Sequence, residues 1–199
     1  MRARQIMSSP VVAVGPEDTV KHAAALLAEH GFTALPVTED DRLVGMVTEA
    51  DIVRDRIPAD ARRGAAGPVA APRTVAEVMT TPAVALSGGA DVAMVARVML
   101  DDRHRSMPIV DGGRVVGVIT RRDLVRVLAR SDAEIAADVR RHLARYGGPG
   151  RYTVEVRDGA ATVLDPYDDP TDRHVARVLA EAVPGVVRAE VRTELENPA

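Results

Sequence analysis

The strongest constraint on this chain's fold is that one stretch of it is written twice. Val44–Asp51, VGMVTEAD, recurs as Val116–Asp123, VGVITRRD, and 116 − 44 = 72. The same offset carries Met7 to Met79, Pro10 to Pro82, Val12 to Val84, Pro36 to Pro108, Arg42 to Arg114, Gly45 to Gly117 and Arg54 to Arg126. No gap is needed between residues 6 and 54. Two copies of one supersecondary unit are the natural reading.

Each copy then reads alike. Pro10–Val14 is β-branched and predicts a strand. Glu17–His30 carries Val20, Ala23, Ala24, Leu27 and Ala28 on one helical face, and Gly31 is placed to end it. Ala34–Val37 and Leu43–Val47 are strands around the hairpin turn TEDDR, and a second helix starts over Thr48–Arg56. The order β-α-β-β-α repeats over Ala83–Leu86, Ala90–Leu100, Met107–Val110, Val115–Ile119 and Arg121–Arg130, with DGG as the second hairpin turn. Pro58–Pro72, rich in Pro, Gly and Ala, reads as a linker. After Ser131 the pattern changes to α-β-β-α-β. Ile135, Val139 and Leu143 have helical spacing. Tyr152, Val154 and Val156 alternate, Asp158-Gly159 signals a hairpin, and Ala161–Leu164 is the return strand. Thr171–Val183 is amphipathic through Val175, Val178 and Leu179, and Val186–Leu195 is a last strand. The expected division is residues 1–57, linker 58–72, residues 73–130 and a separate small domain over 131–199. The fold class is α+β.

Composition narrows the function. The chain has 199 residues, 46% of them hydrophobic, so a sizeable core is within reach. Aromatic residues make up 2%, which leaves no stacking platform for single-stranded nucleic acid, and a net charge of −3 gives no footprint for DNA or RNA. Without cysteine there is no disulfide, thiol nucleophile or cysteine–zinc site. His22, His30, His104, His142 and His174 lack metal-ligand spacing. No apolar run reaches membrane-span length and the start does not read as a secretory signal, so a soluble cytoplasmic protein is expected. The carboxylate-rich run Asp165–Asp172, DPYDDPTD, lacks the spacing and central glycine of an EF-hand and reads as a turn, with Asp169 or Thr171 capping the next helix. No catalytic apparatus is visible, and an enzyme is not expected.

The repeated Thr-x-x-Asp carries the functional signal. Taken once, it is a capping box: the Thr hydroxyl accepts from the backbone N–H three residues on, and Asp reaches back. Taken twice at one place in a duplicated unit, it also suits a ribose-phosphate. A Thr hydroxyl at a helix N-terminus binds a phosphate oxygen, and the carboxylate accepts from a sugar diol. Gly45 and Gly117 leave the preceding strands with little side-chain cover.

The motifs MSSPVVAVGPEDTV, FTALPV and LVGMVTEADI, matched by MTTPAVAL, RSMPIV and VVGVITRRDL, make residues 1–130 resemble a tandem pair of CBS domains, a Bateman module. The resemblance implies two repeats packed about a pseudo-two-fold axis. It implies two clefts for an adenosyl compound such as AMP, ADP, ATP or S-adenosylmethionine, with no cofactor required. It implies crossing, the wall from one copy facing the Thr and Asp of the other. Thr48 and Asp51 would face Thr81, Leu86, Arg105 and Ser106, with His104 and Arg105 near the phosphates. Thr120 and Asp123, with Arg121 and Arg122 inside their motif, would face Ser9, Val14, Thr33 and Ala34. It also implies a homodimer through the CBS helices.

Residues 132–195 resemble a divergent BON domain through the α-β-β-α-β order, VEVRDGAATV and AVPGVVRAEV, with LDPYDD in place of the family's usual Leu-Ser-Gly-like turn. That likeness implies contact with a protein or a membrane surface. Two functions follow from the sequence. One is a sensor that relays adenosyl-ligand binding through the BON-like domain. The other is a structural adaptor whose CBS pair only dimerises.

Overall fold

The computed structural model describes residues 1–54 and 72–193, so most of the expected linker over Pro58–Pro72 lies outside the described residues. The chain packs as two compact units, residues 7–121 and residues 1–6 together with 122–199.

In the paired-repeat unit the first copy gives α1 (Val20–His30), β1 (Ala34–Glu39), β2 (Arg42–Thr48) and α2 (Glu49–Val53). The second gives β3 (Leu86–Ser87), α3 (Val92–Asp101), β4 (Ser106–Asp111) and β5 (Arg114–Thr120), and α4 (Arg121–Leu128) follows. The offset of 72 is visible in detail. Thr19 caps α1 and Asp91 caps α3. The Ser9-Pro10 and Thr81-Pro82 peptides are both cis. Asp40 and Asp41 turn the first hairpin with φ of 50° and 62°, where Gly112 and Gly113 turn the second. The ladder slips between Val37 and Thr38, and again between Ile109 and Val110.

One five-stranded sheet, ordered β1-β2-β5-β4-β3, holds both copies. They meet where Arg42 pairs with Arg114 and where the Leu43 N–H donates to the Gly113 carbonyl. The strand expected over Pro10–Val14 is reduced to one parallel bridge, Val14 to Val37, and its counterpart to the two residues of β3.

The segment that leads into the second repeat packs on the first. Val75 is fully buried in the first repeat's core with Val20, Leu27, Leu35 and Val47. The Val75 N–H donates to the Asp18 carbonyl, and the Val20 N–H to the Arg73 carbonyl. Thr80 bridges to Met46 on β2, and Ser8 bridges symmetrically to Val118 on β5. Each repeat's lead-in segment therefore lies on the other repeat. The glycines explain how. A Cβ on Gly45 would come within 2.7 Å of Met79 Sδ, and one on Gly117 would meet Met7 Sδ at 2.3 Å and Cγ at 2.6 Å. The bare strands expected at these glycines are covered after all, by a methionine from the opposite copy. Because the clash at Gly117 involves the methionine stem as well as its tip, Gly117→Ala is expected to lower stability by about 1–3 kcal/mol, the cost of overpacking. Met7→Ala in the same chain is expected to restore most of it. Urea unfolding checks this, and an unchanged midpoint for Gly117→Ala counts against the methionine seat.

The C-terminal unit contains α5 (Asp132–Gly147), β6 (Thr153–Arg157), β7 (Ala160–Asp165), α6 (Pro170–Glu181) and β8 (Arg188–Thr193). Its sheet order is β6-β7-β8, with β7 and β8 parallel. Ile135, Val139, Leu143, Tyr152, Val154 and Val156 are buried together, as their spacing predicts. The apolar face of α6 differs from expectation. Ala176 and Ala180 are fully buried, and Val178 is exposed. Small side chains let the helix lie close to the sheet, which turns the larger valine outward. Asp169, rather than Thr171, caps α6, accepting from the Thr171 and Asp172 N–H groups. The other carboxylates of the acidic run are engaged as well: Asp165 and Asp172 hold Arg151, and Asp168 pairs with Arg173. Among the described residues no cluster of acidic residues and histidines is poised to hold a metal ion.

Candidate functional site

At the first Thr-x-x-Asp, β2 runs straight into α2. The Thr48 hydroxyl donates to Asp51 Oδ2 at 2.7 Å, and the Thr48 N–H donates to the same oxygen at 2.9 Å. The Asp51 N–H donates back to Thr48 Oγ1 at 3.3 Å. The capping box is complete, and it fixes both side chains at the start of a helix. Both residues remain half-buried, so the turn stays open to a ligand.

The residues expected around this turn fall into groups. Thr81 arrives with the second repeat's lead-in segment, and its hydroxyl donates to the Val44 carbonyl at 3.0 Å, on the strand that ends at Thr48. Thr81 thus lies against a strand of the opposite repeat. Thr33 and Ala34, expected to serve the second motif, adjoin the first as well. Ala34 pairs with Thr48 on the β1–β2 ladder, and the Glu49 N–H donates to the Thr33 carbonyl. Thr33 Oγ1 also lies 3.4 Å from Ser106 Oγ, so two residues assigned to opposite clefts meet at the junction of the repeats. Ser106 in turn pairs with Thr120, at the end of β5. Leu86 is half-buried on β3, and Arg105 and Ser9 are exposed.

Three expected site residues are placed differently. Val14 is 2% exposed and packs in the first repeat's core, so its side chain forms no wall. The Arg121 guanidinium closes the end of α3: Nε donates to the His104 carbonyl at 3.0 Å and Nη2 to the Met99 carbonyl at 3.0 Å. A cation suits the carbonyl end of a helix. Asp123, in the C-terminal unit, is 5% exposed, and its Oδ1 accepts from Arg126 at 3.0 Å, a partner the sequence reading did not name. Arg122 beside it is exposed. Arg126 stands three residues after Asp123 on α4, and that helical spacing is the signal that would have found it.

The CBS domain model matches residues 3–57 and 75–130, more than half of the chain. The chain belongs to the CBS domain family. Its curated relatives include Hypoxic response protein 1 of Mycobacterium tuberculosis, 33% identical over 127 residues that span 63% of this chain and 84% of that protein. The CBS domain pair of protein MJ0100, in complex with 5′-methylthioadenosine and S-adenosyl-L-methionine, superposes with a TM-score of 0.54 at 26% identity, covering 64% of this chain and 94% of that one. CBSX2 in complex with AMP gives a TM-score of 0.52 at 25% identity, covering 63% and 93%. The CBS pair is thus established, and the family matches end at residue 130.

Proposed function

We propose that this CBS protein is a non-catalytic sensor of an adenosyl compound. Thr48 and Asp51 would take ribose and phosphate in one cleft, with Thr81, Arg105 and Ser106 nearby. Thr120 would serve the other, with Ser9, Thr33 and Ala34. The observation that carries the reading is the open Thr48–Asp51 box with Thr81 of the opposite repeat hydrogen-bonded to its strand. Related pairs of this family hold 5′-methylthioadenosine, S-adenosyl-L-methionine and AMP, which supports the ligand class.

The relay would run through α4 into the BON-like C-terminal unit. Asp123 sits in the first turn of α4. Just past its end, Arg130 donates to the Pro184 carbonyl at 2.5 Å and to Asp138 at 2.7 Å. A ligand that held Thr120 would act on α4, the helix that follows it, whose far end leads to this clasp on α5 and the segment after α6. It could shift that equilibrium only by its differential affinity for the two states.

Thermal unfolding with AMP, ADP, ATP and S-adenosylmethionine tests the reading. A ligand at a hundred times its dissociation constant stabilises by about 2.7 kcal/mol, which for a chain of this size raises Tm by roughly 5–11 °C. Asp51→Ala and Thr120→Ala are each expected to shrink that increment, and the larger loss identifies the stronger cleft. The increment, not Tm itself, is the readout, because losing the Thr48–Asp51 box alone costs about 0.5–2 kcal/mol. No increment with any of the four compounds sinks the sensor and leaves the adaptor, a pair that only dimerises.

A further inference from the structure

Among the described residues, the helices of the C-terminal unit pack on one face of its sheet, and the other face is a grid of side chains. The ladder sets Arg157, Ala160 and Arg188 in one row across the three strands. The next row is Glu155, Thr162 and Glu190, and the third is Thr153, Leu164 and Arg192. The small side chains of Ala160 and Thr162 leave a trough of about 380 Å³ between the charged flanks.

We propose that this face binds the same face of a second copy of the chain. The first two rows are self-complementary. A two-fold axis lying across the strands, midway between those rows, sets one copy's arginine row over the other's glutamate row. Arg157 then faces Glu155 of the second copy and Arg188 faces Glu190, each twice, while Ala160 lies over Thr162. The trough accepts close approach at the centre, and sheets stacked this way keep their strands nearly aligned. The arginines already reach along their own strands: Arg157 meets Glu155 at 2.6 Å and Arg192 meets Glu190 at 3.0 Å. Those pairs are exposed, and stacking removes them from solvent screening. Charge also argues against other occupants. A phosphate-bearing surface would confront the glutamate row, and the face offers no aromatic platform to a nucleic acid base.

The face is small beside the roughly 800 Å² per partner of a stable interface, so weak, salt-sensitive association is expected. Sedimentation velocity of the full chain tests it with two charge-reversed variants, Glu155→Arg/Glu190→Arg and Arg157→Glu/Arg188→Glu. Each alone is expected to associate at least tenfold more weakly than the parent through this face. An equimolar mixture is expected to recover the association, more fully at low ionic strength than at high. Any pairing through the CBS helices is common to all samples and drops out. Thr162→Arg, which fills the trough and leaves the arginines and glutamates of both rows in place, is expected to weaken self-association as well. A mixture no stronger than its separate components overturns the proposal. So does binding of the parent, but not of Arg157→Glu/Arg188→Glu, to anionic phospholipid vesicles without self-association.

Discussion

Arg151→Met is expected to destabilise the C-terminal unit by about 3–5 kcal/mol, the range for removing one partner of a buried ion pair. Asp165 is fully buried, and its two oxygens accept from Arg151 Nε at 3.0 Å and Nη2 at 2.7 Å. The same guanidinium bonds Asp172 at 2.5 Å and lies over the rings of Tyr152 and Tyr167, 4.9 and 5.0 Å from their centroids. It ties the start of β6 to the end of β7 and the first turn of α6. Asp165 and Asp172, in that order, hold its proton more firmly than usual. Removing it leaves the Asp165 carboxylate buried without its cation, although the Tyr167 N–H still donates to Oδ1 at 3.2 Å, and that desolvation dominates the loss. Arg151→Met with Asp165→Leu removes both charges and is expected to recover most of the stability. Urea unfolding of the parent and both variants decides it, and a double variant no better than the single one refutes the assignment.

The same cluster sets a pH dependence. The Tyr146 hydroxyl first, and Arg151 second, hold the Asp172 carboxyl below its usual range. A depressed folded pKa gives stability that is complete above the unfolded value near 3.9 and is lost as pH falls through the lowered one. Asp172→Asn is therefore expected to flatten the acid limb of Tm against pH relative to the parent. Coincident acid limbs would rule this out.

Local chemistry was legible in the sequence, and through-space chemistry was not. Gly31 ends α1 with φ of 65°, and Asp158-Gly159 turns the β6–β7 hairpin, because turns and caps depend on neighbouring residues. The Thr48–Asp51 box was equally readable, its partners being three residues apart. The residue spacing did not show the lead-in exchange, which only the family resemblance implied, through Thr81 and Ser9. Met79 is adjacent to Gly45 only after the sheet has formed, and an offset of 72 relates equivalent residues without saying which of them touch. Arg121 escaped for a similar reason: the Met99 and His104 carbonyls that hold it are exposed by the end of a helix some 20 residues earlier. The Arg151 cluster escaped because its members span three elements, and DPYDDPTD displayed the carboxylates without their cation.

Leu35→Ala is the second large loss, expected at about 2–5 kcal/mol. Leu35 is fully buried on β1, in a core with Val14, Val20, Leu27, Val37, Val47, Ile52 and Val75. Alanine there removes three side-chain carbons and leaves a cavity. The surroundings can collapse little, because Val75 belongs to the exchanged segment and is held by its backbone bond to Asp18. The consequence reaches the site. Leu35 pairs with Val47, and the next rung pairs Ala34 with Thr48. A loosened rung lets Thr48 and its hydroxyl drift, so the ligand-induced rise in Tm should shrink together with the baseline. Leu143→Ala, in the separate core of the C-terminal unit, is expected to cost a comparable amount while leaving the ligand increment nearly unchanged. Equal losses of increment in the two variants would show that the increment follows global stability and not the seating of Thr48.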